Sequence, residues 1–308
     1  MASANSSKVS LYGGIAANVA IAISKFVAAY FTRSSAMLSE GIHSLVDSGN
    51  GVLLLYGVHQ SQKPADARHP FGRSKELYFW SLIVAVLIFA IGGGMSFYEG
   101  IKHIEHPEPL TDPTWNYWVL GLSVVFECIA TGLAVKALFD NPGAKGKGFW
   151  QQLRTSNDPA VFASVLENLA ALLGLVFALI GVYLGHLLNN PTLDGAASIA
   201  IGVLLVLVAV FLVYRTKSLL VGQGVDDETL ASLERIARAQ PHVQDIRSPL
   251  TMHLGANDVV LALDVDFDDA LNSKQVAEAI EGLQTAIQTA HPDVKQVFIE
   301  AHNLAGRN

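Results

Sequence analysis

The sequence predicts an all-α bundle of six transmembrane helices followed by a C-terminal α+β domain, and three observations lead to this fold class. The chain is too apolar for an ordinary soluble globule, because 51% of its 308 residues are hydrophobic and only 15% are charged. Six apolar segments reach about 20 residues, the length that crosses a bilayer. The hydrophobicity then ends near residue 220. We therefore predict a six-span transmembrane domain over 1–220 and a cytoplasmic domain over 221–308.

The predicted spans are residues 11–31, 36–58, 77–98, 117–138, 160–186 and 193–214. Lys and Arg accumulate in connections that face the cytoplasm, and their distribution therefore predicts orientation. With the N-terminus inside, the inner connections hold eleven of them: Lys8, Lys63, Arg68, Arg73, Lys75, Lys136, Lys145, Lys147, Arg154, Arg215 and Lys217. The outer connections hold only Arg33 and Lys102. We expect a multi-pass protein of a bacterial inner membrane with both termini in the cytoplasm.

The tail has the pattern of a small αββαβ domain of the ferredoxin-like kind. Apolar residues recur with helical spacing in 229–240 and 276–287, and they alternate with strand spacing in 259–267. Further strands are predicted near 243–253 and at 294–301. From Val221 onward the tail has 14 acidic and 6 basic residues, a charge of about −8. A negative domain repels nucleic acid and attracts cations, so we expect no nucleic-acid partner.

The second span opens with SEGIHSLVDSG, in which His43 and Asp47 are four residues apart and share one helix face. A charged side chain at the bilayer centre costs about 2.5–3.5 kcal/mol, so it needs a partner or a role. Imidazole and carboxylate are ligands of divalent metals, and two of them supply half of a tetrahedral shell. Another helix must supply the rest, and the fifth span carries Glu167 beside Asn168.

Two more charged residues lie within predicted spans, Lys25 in the first and Glu127 in the fourth. The long side chain of Lys25 either extends to the membrane interface or pairs with Glu127. Glu127 otherwise bonds a neighbouring helix or has a functional role within the membrane. Neither residue is assigned to the metal site.

Together with KPADARHPFGRSKELYFW in the next loop, the second span resembles the cation diffusion facilitator family, in its branch with HxxxD in the second helix and HPFGR in the following loop. Six spans, two cytoplasmic ends and an αββαβ tail are also similar to that family. The resemblance implies a divalent metal efflux transporter that exchanges metal for protons by alternating access. It also implies a homodimer formed through the C-terminal domain. Zn²⁺ is the expected ion, with Fe²⁺ or Mn²⁺ as alternatives, and no prosthetic group or enzyme activity is implied.

The family takes two transport ligands from the second helix, which match His43 and Asp47, and two from the fifth. The fifth-helix positions match Ser164 and Asn168, with Glu167 adjacent. Three arrangements remain open: Asn168 contributes a carbonyl oxygen, Glu167 turns inward, or water completes the shell. Adjacent helical residues point about 100° apart, so Glu167 and Asn168 cannot both face the ion squarely. We favour Asn168, and Glu167 and Ser164 rank behind it.

The resemblance also implies a second metal site in the loop between the second and third helices. Asp66 and His69 match two of its ligands, but Arg73 stands where a third histidine is expected. A guanidinium does not coordinate metal. We therefore expect this loop site to be weak or absent and expect Asp66 and His69 to hold the shape of the loop.

Two other functional classes are alternatives to a transporter. A passive divalent cation channel would line an open pore with rings of like groups rather than one compact chelating cluster. An intramembrane metalloenzyme would use the same His and Asp to activate water, but the sequence has no HExxH motif and no nucleophile beside a base. Both remain as alternatives.

Overall fold

The computed structural model describes residues 18–107, 112–140 and 148–301. The chain divides into two compact units. One comprises residues up to His59 together with Phe79–Thr216, and the other comprises Gln60–Tyr78 together with the chain from Lys217 onward. The loop that carries Asp66 and His69 therefore belongs to the same unit as the tail.

The described helices before the tail are α1 (Asn18–Thr32), α2 (Ser35–Ser61), α3 (Glu76–Leu87), α4 (Gly94–Glu105), α5 (Thr114–Phe139), α6 (Phe149–Thr155), α7 (Pro159–Leu187) and α8 (Thr192–Val221). A π-helical segment, Ile88–Gly93, joins α3 to α4, so Glu76–Glu105 is one continuous helical run. Each predicted span lies on one of these helices or, for the third, on the run Glu76–Glu105, although this run and α8 extend seven residues beyond the predicted ends. Residues 11–17 of the first predicted span lie outside the described residues. The short helix α6 was not predicted.

Within the described residues, four helical runs are long and apolar enough to cross a membrane: Glu76–Glu105, Thr114–Phe139, Pro159–Leu187 and Thr192–Val221. The described part of α1 is apolar but short, with 15 residues. The helix α2 has 27 residues but is interrupted by polar side chains, which lower its hydropathy. The chain is therefore an integral membrane protein by its apolar helices, while α2 and the described part of α1 do not meet this measure.

Glycines bring the α3–α4 run into direct backbone contact with α8. A Cβ atom added at Gly202 would lie 2.8 Å from Phe97 N and 3.0 Å from Gly93 O. One added at Gly195 would lie 2.9 Å from Gly100 O. Only a residue without a side chain permits this approach, which is a common means of packing helices in membranes.

The start of α2 is fixed by Asp194 in the first turn of α8. Its carboxylate accepts hydrogen bonds from Ser34 Oγ at 2.6 Å, Ser35 Oγ at 3.0 Å, and the backbone N–H groups of Ser35 and Ala36 at 2.5 and 3.2 Å. Asp194 is buried. It thereby satisfies donors that have no partner within the first turn of a helix. The next residue along, Met37, donates its N–H to Ser34 Oγ at 3.1 Å.

The tail contains α9 (Asp227–Arg238), β1 (Val243–Ile246), β2 (Leu250–Gly255), β3 (Asp258–Phe267), α10 (Ser273–Ala290) and β4 (Val294–Ala301). The central strand β3 pairs antiparallel with β1 and β2 and parallel with β4. Its alternate residues Val259, Leu261, Leu263, Val265 and Phe267 are buried in the core of this unit together with Leu233, Leu283 and Ile287.

One detail of the predicted tail differs from the structure. The single strand expected near 243–253 is two strands, β1 and β2, so the order is αβββαβ. Val243 lies opposite Phe267 and Leu250 opposite Ala262, so the two pieces follow one another along β3. The break contains Pro249, which has no N–H to donate to a sheet.

The loop before α3 contacts the tail within their common unit. Ser74 Oγ donates to Asp258 Oδ2 at 3.0 Å, and Lys75 Nζ lies 3.5 Å from Leu220 O. The rings of Phe71 and Phe298 meet edge to face with centroids 6.3 Å apart. These contacts tie Phe71 and Ser74 to the sheet and Lys75 to the end of α8.

Candidate transport site

One face of α2 carries a row of polar side chains over three turns, which we call the polar face: Glu40, His43, Ser44, Asp47 and Asn50. Their spacing of three or four residues places them on one side of the helix. All are buried except Asp47, whose side chain is 16% exposed. An apolar bundle that buries such a row must compensate for the desolvation of each group.

His43 and Asp47 lie together on this face, as their spacing predicts. His43 Nδ1 is 3.5 Å from Asp47 Oδ1, too long for a good hydrogen bond. Both ring nitrogens of His43, together with Asp47 Oδ1, are buried and have no hydrogen-bond partner among the described residues. Buried polar atoms are nearly always bonded, so such a group requires an explanation, and a bound ion or water is one.

The polar face of α2 packs against α7, the helix predicted to supply the other ligands. Asn50 Nδ2 lies 3.4 Å from Glu167 Oε1, and a Cβ atom added at Gly174 would collide with Glu40 Oε1. Glu40, near the start of α2, contacts Gly174, whereas Asn50, ten residues later, contacts Glu167, which precedes Gly174 on α7. The two helices are therefore antiparallel. His43 and Asp47 lie on the stretch of α2 between these two contacts.

The structure places the three candidate residues of α7 differently. Glu167 is buried and contacts α2 through Asn50. Asn168 and Ser164 are partly buried, and no hydrogen bond joins either to the polar face among the described residues. The rotation of α7 about its axis therefore turns Glu167, the alternative to Asn168 in the sequence analysis, toward α2.

Several carboxylates share the electrostatic environment of Asp47. Glu167 and Glu127 interact with it, as do Lys25 and Glu40. Glu127, on α5, is buried. Across the described part of the chain, however, no three His, Cys, Asp or Glu side chains converge closely enough to hold a metal ion. The geometry thus brings His43 and Asp47 together, with Glu167 and Glu127 nearby rather than in a closed shell.

Lys25 neither extends to the interface nor pairs with Glu127, so both expectations for it were wrong. Its Nζ atom lies 2.8 Å from Glu40 Oε2 and 2.8 Å from Ser44 Oγ, and both Lys25 and Glu40 are completely buried. Sequence reasoning missed Glu40. Its position three residues before His43 places it on the same helix face and was the available signal.

In the loop, Asp66 is held by its own neighbours. Arg73 Nη2 donates to Asp66 Oδ2 at 2.8 Å, and His69 Nδ1 lies 3.0 Å from Asp66 Oδ1. The backbone N–H groups of Arg68 and His69 also donate to Asp66 Oδ1. The hydrogen bonds from Arg73 and His69 hold the pKa of Asp66 below its usual range. This geometry favours a structural role for the pair.

The polar face has the chemistry of a cation site. A neutral imidazole and carboxylates offer nitrogen and oxygen donors that suit zinc, manganese and iron. The carboxyl groups of Glu167, Glu127 and Glu40 lie in the electrostatic environment of Asp47, together with the ammonium of Lys25. A carboxyl group binds either a proton or, once deprotonated, a divalent cation. The site can therefore exchange one for the other.

Comparison with known proteins agrees with this chemistry. A family profile described as the cation efflux transmembrane domain matches residues 11–221. The chain is similar to the human protein named Proton-coupled zinc antiporter SLC30A9, mitochondrial, with 34% identity over 281 residues that cover 90% of this chain and 50% of the relative. Metal tolerance protein C4 of Arabidopsis thaliana is 29% identical over 79% of this chain and 53% of its own.

The Manganese efflux system protein MneP of Bacillus subtilis (strain 168) is 24% identical, over 96% of both chains. The chain spans about half the length of the human and plant relatives it matches, and nearly the whole of the bacterial one. The profile match over residues 11–221 and the identity to the human protein lead to one conclusion: this chain belongs to the cation efflux, or cation diffusion facilitator, family of transporters.

Proposed function

We propose that this protein exports divalent metal ions in exchange for protons. The observation that carries the proposal is the polar face of α2, where buried atoms of His43 and Asp47 have no hydrogen-bond partner among the described residues. The names of the relatives support it, because they describe a proton-coupled zinc antiporter and a manganese efflux protein. Zn²⁺ is the proposed ion, with Fe²⁺ or Mn²⁺ as alternatives, and the ion is cargo rather than a resident cofactor.

We propose His43, Asp47 and Glu167 as the protein ligands, with water completing the shell. The contact between Glu167 and Asn50 supports this choice for α7. Asn168, favoured from the sequence, and Ser164 then border the site. The 3.5 Å separation of His43 and Asp47 leaves both able to turn toward an ion. The ligands close around the metal only when α7 approaches α2, which would be one state of alternating access.

Competition between protons and metal couples the two fluxes. A histidine or carboxylate ligand must be deprotonated to coordinate, so metal binding expels protons and protonation expels metal. Protons entering from outside would then displace metal outward.

The membrane arrangement follows from the same proposal. We propose that α1 and α2 also cross the bilayer, giving six spans over 1–220 with both termini in the cytoplasm, and that 221–308 forms a ferredoxin-like dimerisation domain. The charge of the connections and the antiparallel packing of α2 on α7 support this. We keep a bacterial inner membrane as the proposed location because a bacterial relative is matched nearly end to end. The name of the human relative instead describes a mitochondrial protein.

The function is tested with the purified protein in proteoliposomes. The transport rate of an antiporter saturates with increasing Zn²⁺ or Mn²⁺ concentration. An imposed pH gradient drives the metal ion in the direction opposite to the proton flow. We expect His43→Ala and Asp47→Ala to abolish transport, and His186→Ala, a histidine at the far end of α7, to retain it. Flux that neither saturates nor responds to pH would instead indicate a channel, and turnover of a substrate without flux would indicate an enzyme.

A second pair of variants decides which residue of α7 faces the ion. If Glu167 is the ligand, Glu167→Gln weakens metal binding by at least the 10- to 100-fold, roughly, that is lost when a group that merely orients a ligand is altered, while Asn168→Ala has little effect. The opposite pattern would return the assignment to Asn168.

A further inference from the structure

The ion pair between Lys25 and Glu40 lies beside the proposed transport site, but neither residue is one of the proposed metal ligands. Lys25, from α1, is completely buried and places its ammonium 2.8 Å from Glu40 Oε2 and 2.8 Å from Ser44 Oγ. A lysine in an apolar bundle is costly, and such residues usually pair and mark functional paths.

Glu40 has the position and the chemistry of a metal ligand. It lies three residues before His43 on the polar face, and a carboxylate oxygen coordinates every divalent ion under consideration. One of its oxygens, Oε1, is buried with no hydrogen-bond partner among the described residues and lies against Gly174 of α7. The other is occupied by Lys25. The ammonium therefore engages a carboxylate on the same helix face as His43.

A transporter must release its ion, so one more anionic ligand is a disadvantage. Metal affinity rises with the number of charged ligands, and transport requires binding strong enough to load and weak enough to unload. Glu40 together with His43 and Asp47 would give three ligand side chains on one face of α2, and Glu167 would add a fourth. Such a shell resembles a closed structural metal site more than an open one.

We propose that Lys25 is a positioning residue that holds Glu40 out of the metal shell and so keeps the transport site weak enough to release its ion. This inference rests on the proposed function. Ser44 assists by accepting a second hydrogen bond from the ammonium, which fixes its direction.

The experiment measures Zn²⁺ affinity by calorimetry and transport kinetics in proteoliposomes for Lys25→Met, Glu40→Gln and the double variant, all as full-length protein. Lys25→Met frees the carboxylate, so we expect affinity to rise and KM to fall by about tenfold or more, while the maximal rate falls because release slows. Glu40→Gln leaves an unpaired ammonium near the site, so we expect affinity to fall. The double variant removes both charges and returns affinity toward the wild-type value.

Opposite shifts in the two single variants separate this role from helix packing, because loss of a purely structural ion pair would impair both variants in the same direction. Lys102→Met is the matched control: it breaks the pair between an exposed lysine and Glu99 and should leave affinity unchanged. If Lys25→Met does not fold, Glu40→Gln still decides, since affinity that is unchanged or higher in that variant overturns the inference.

Failure of this inference can be told apart from failure of the proposed function. If wild-type transport saturates and His43→Ala abolishes it, while Lys25→Met binds Zn²⁺ no more tightly than wild type, only the role of Lys25 is overturned. If His43→Ala transports normally, the transport site lies elsewhere and both proposals are overturned.

Discussion

Replacing Asp194 by alanine should destabilise the membrane unit more than the loss of an ordinary helix cap. The carboxylate accepts four hydrogen bonds at the start of α2, two from backbone N–H groups and two from the hydroxyls of Ser34 and Ser35. It is 5% exposed, so water cannot easily replace it. Its loss leaves four donors at a buried junction without their acceptor.

The magnitude follows from these contacts. A capping side chain contributes about 1 kcal/mol, and each hydrogen bond to a charged acceptor about 1.5–3 kcal/mol. The backbone cap at about 1 kcal/mol and the two hydroxyl hydrogen bonds at about 1.5 kcal/mol each give about 4 kcal/mol. We expect Asp194→Ala to lower the free energy of unfolding by this amount. Asp158 provides the comparison, because it caps only the backbone of α7, at Ala160 and Val161. Asp158→Ala should cost about 1 kcal/mol.

The assay is denaturant unfolding of both variants in mixed detergent micelles, followed by tryptophan fluorescence. Asp194→Asn, which retains one acceptor oxygen, should fall between wild type and Asp194→Ala. If Asp194→Ala loses no more unfolding free energy than Asp158→Ala, the reasoning is refuted. The four hydrogen bonds of Asp194 at α2 would then contribute no more than the two of Asp158 at α7.

Three further predictions concern packing, pH and the loop. Gly202→Ala should destabilise by about 1–3 kcal/mol, the cost of overpacking, while Gly132→Ala, with open space around it, should not, as measured by the same unfolding assay. Burial lowers the pKa of His253, so the unfolded chain takes up a proton below about pH 6.5 that the folded tail does not, and stability falls with decreasing pH there. Hydrogen exchange in β2 and β3, corrected for intrinsic rates, should show this loss, and His253→Leu should remove it. Arg73→His frees Asp66 and supplies a third ligand, so calorimetry should detect one additional Zn²⁺ per chain; an unchanged stoichiometry would count against a latent loop site.

Local sequence patterns predicted the helices well because their causes are local. Apolar length located each described helix before the tail except the short α6, and the alternation over 259–267 located β3. The spacing of His43 and Asp47 placed them on one face, where the structure has them. The break between β1 and β2 was missed although Pro249 marks it, since proline permits a strand edge as well as an interruption.

Long-range partners were beyond the reach of these patterns. Lys25 was expected to extend outward or meet Glu127, and it pairs with Glu40 instead. The partner of Lys25 depends on which faces of α1 and α2 meet. Successive residues are about 100° apart around a helix, so a helix rotated by that angle would offer a different partner. The same rotation of α7 turns Glu167 toward Asn50.

The sequence by itself determined where the helices and most strands lie and that α2 carries His43 and Asp47 on one face, because hydropathy and spacing act over a few residues. Only the tertiary structure decided that Asp194 caps α2, that glycines bring α4 onto α8, and that an ammonium from α1 occupies Glu40. These contacts join residues far apart in the chain. Their geometry is fixed by how the helices pack, which no local pattern records.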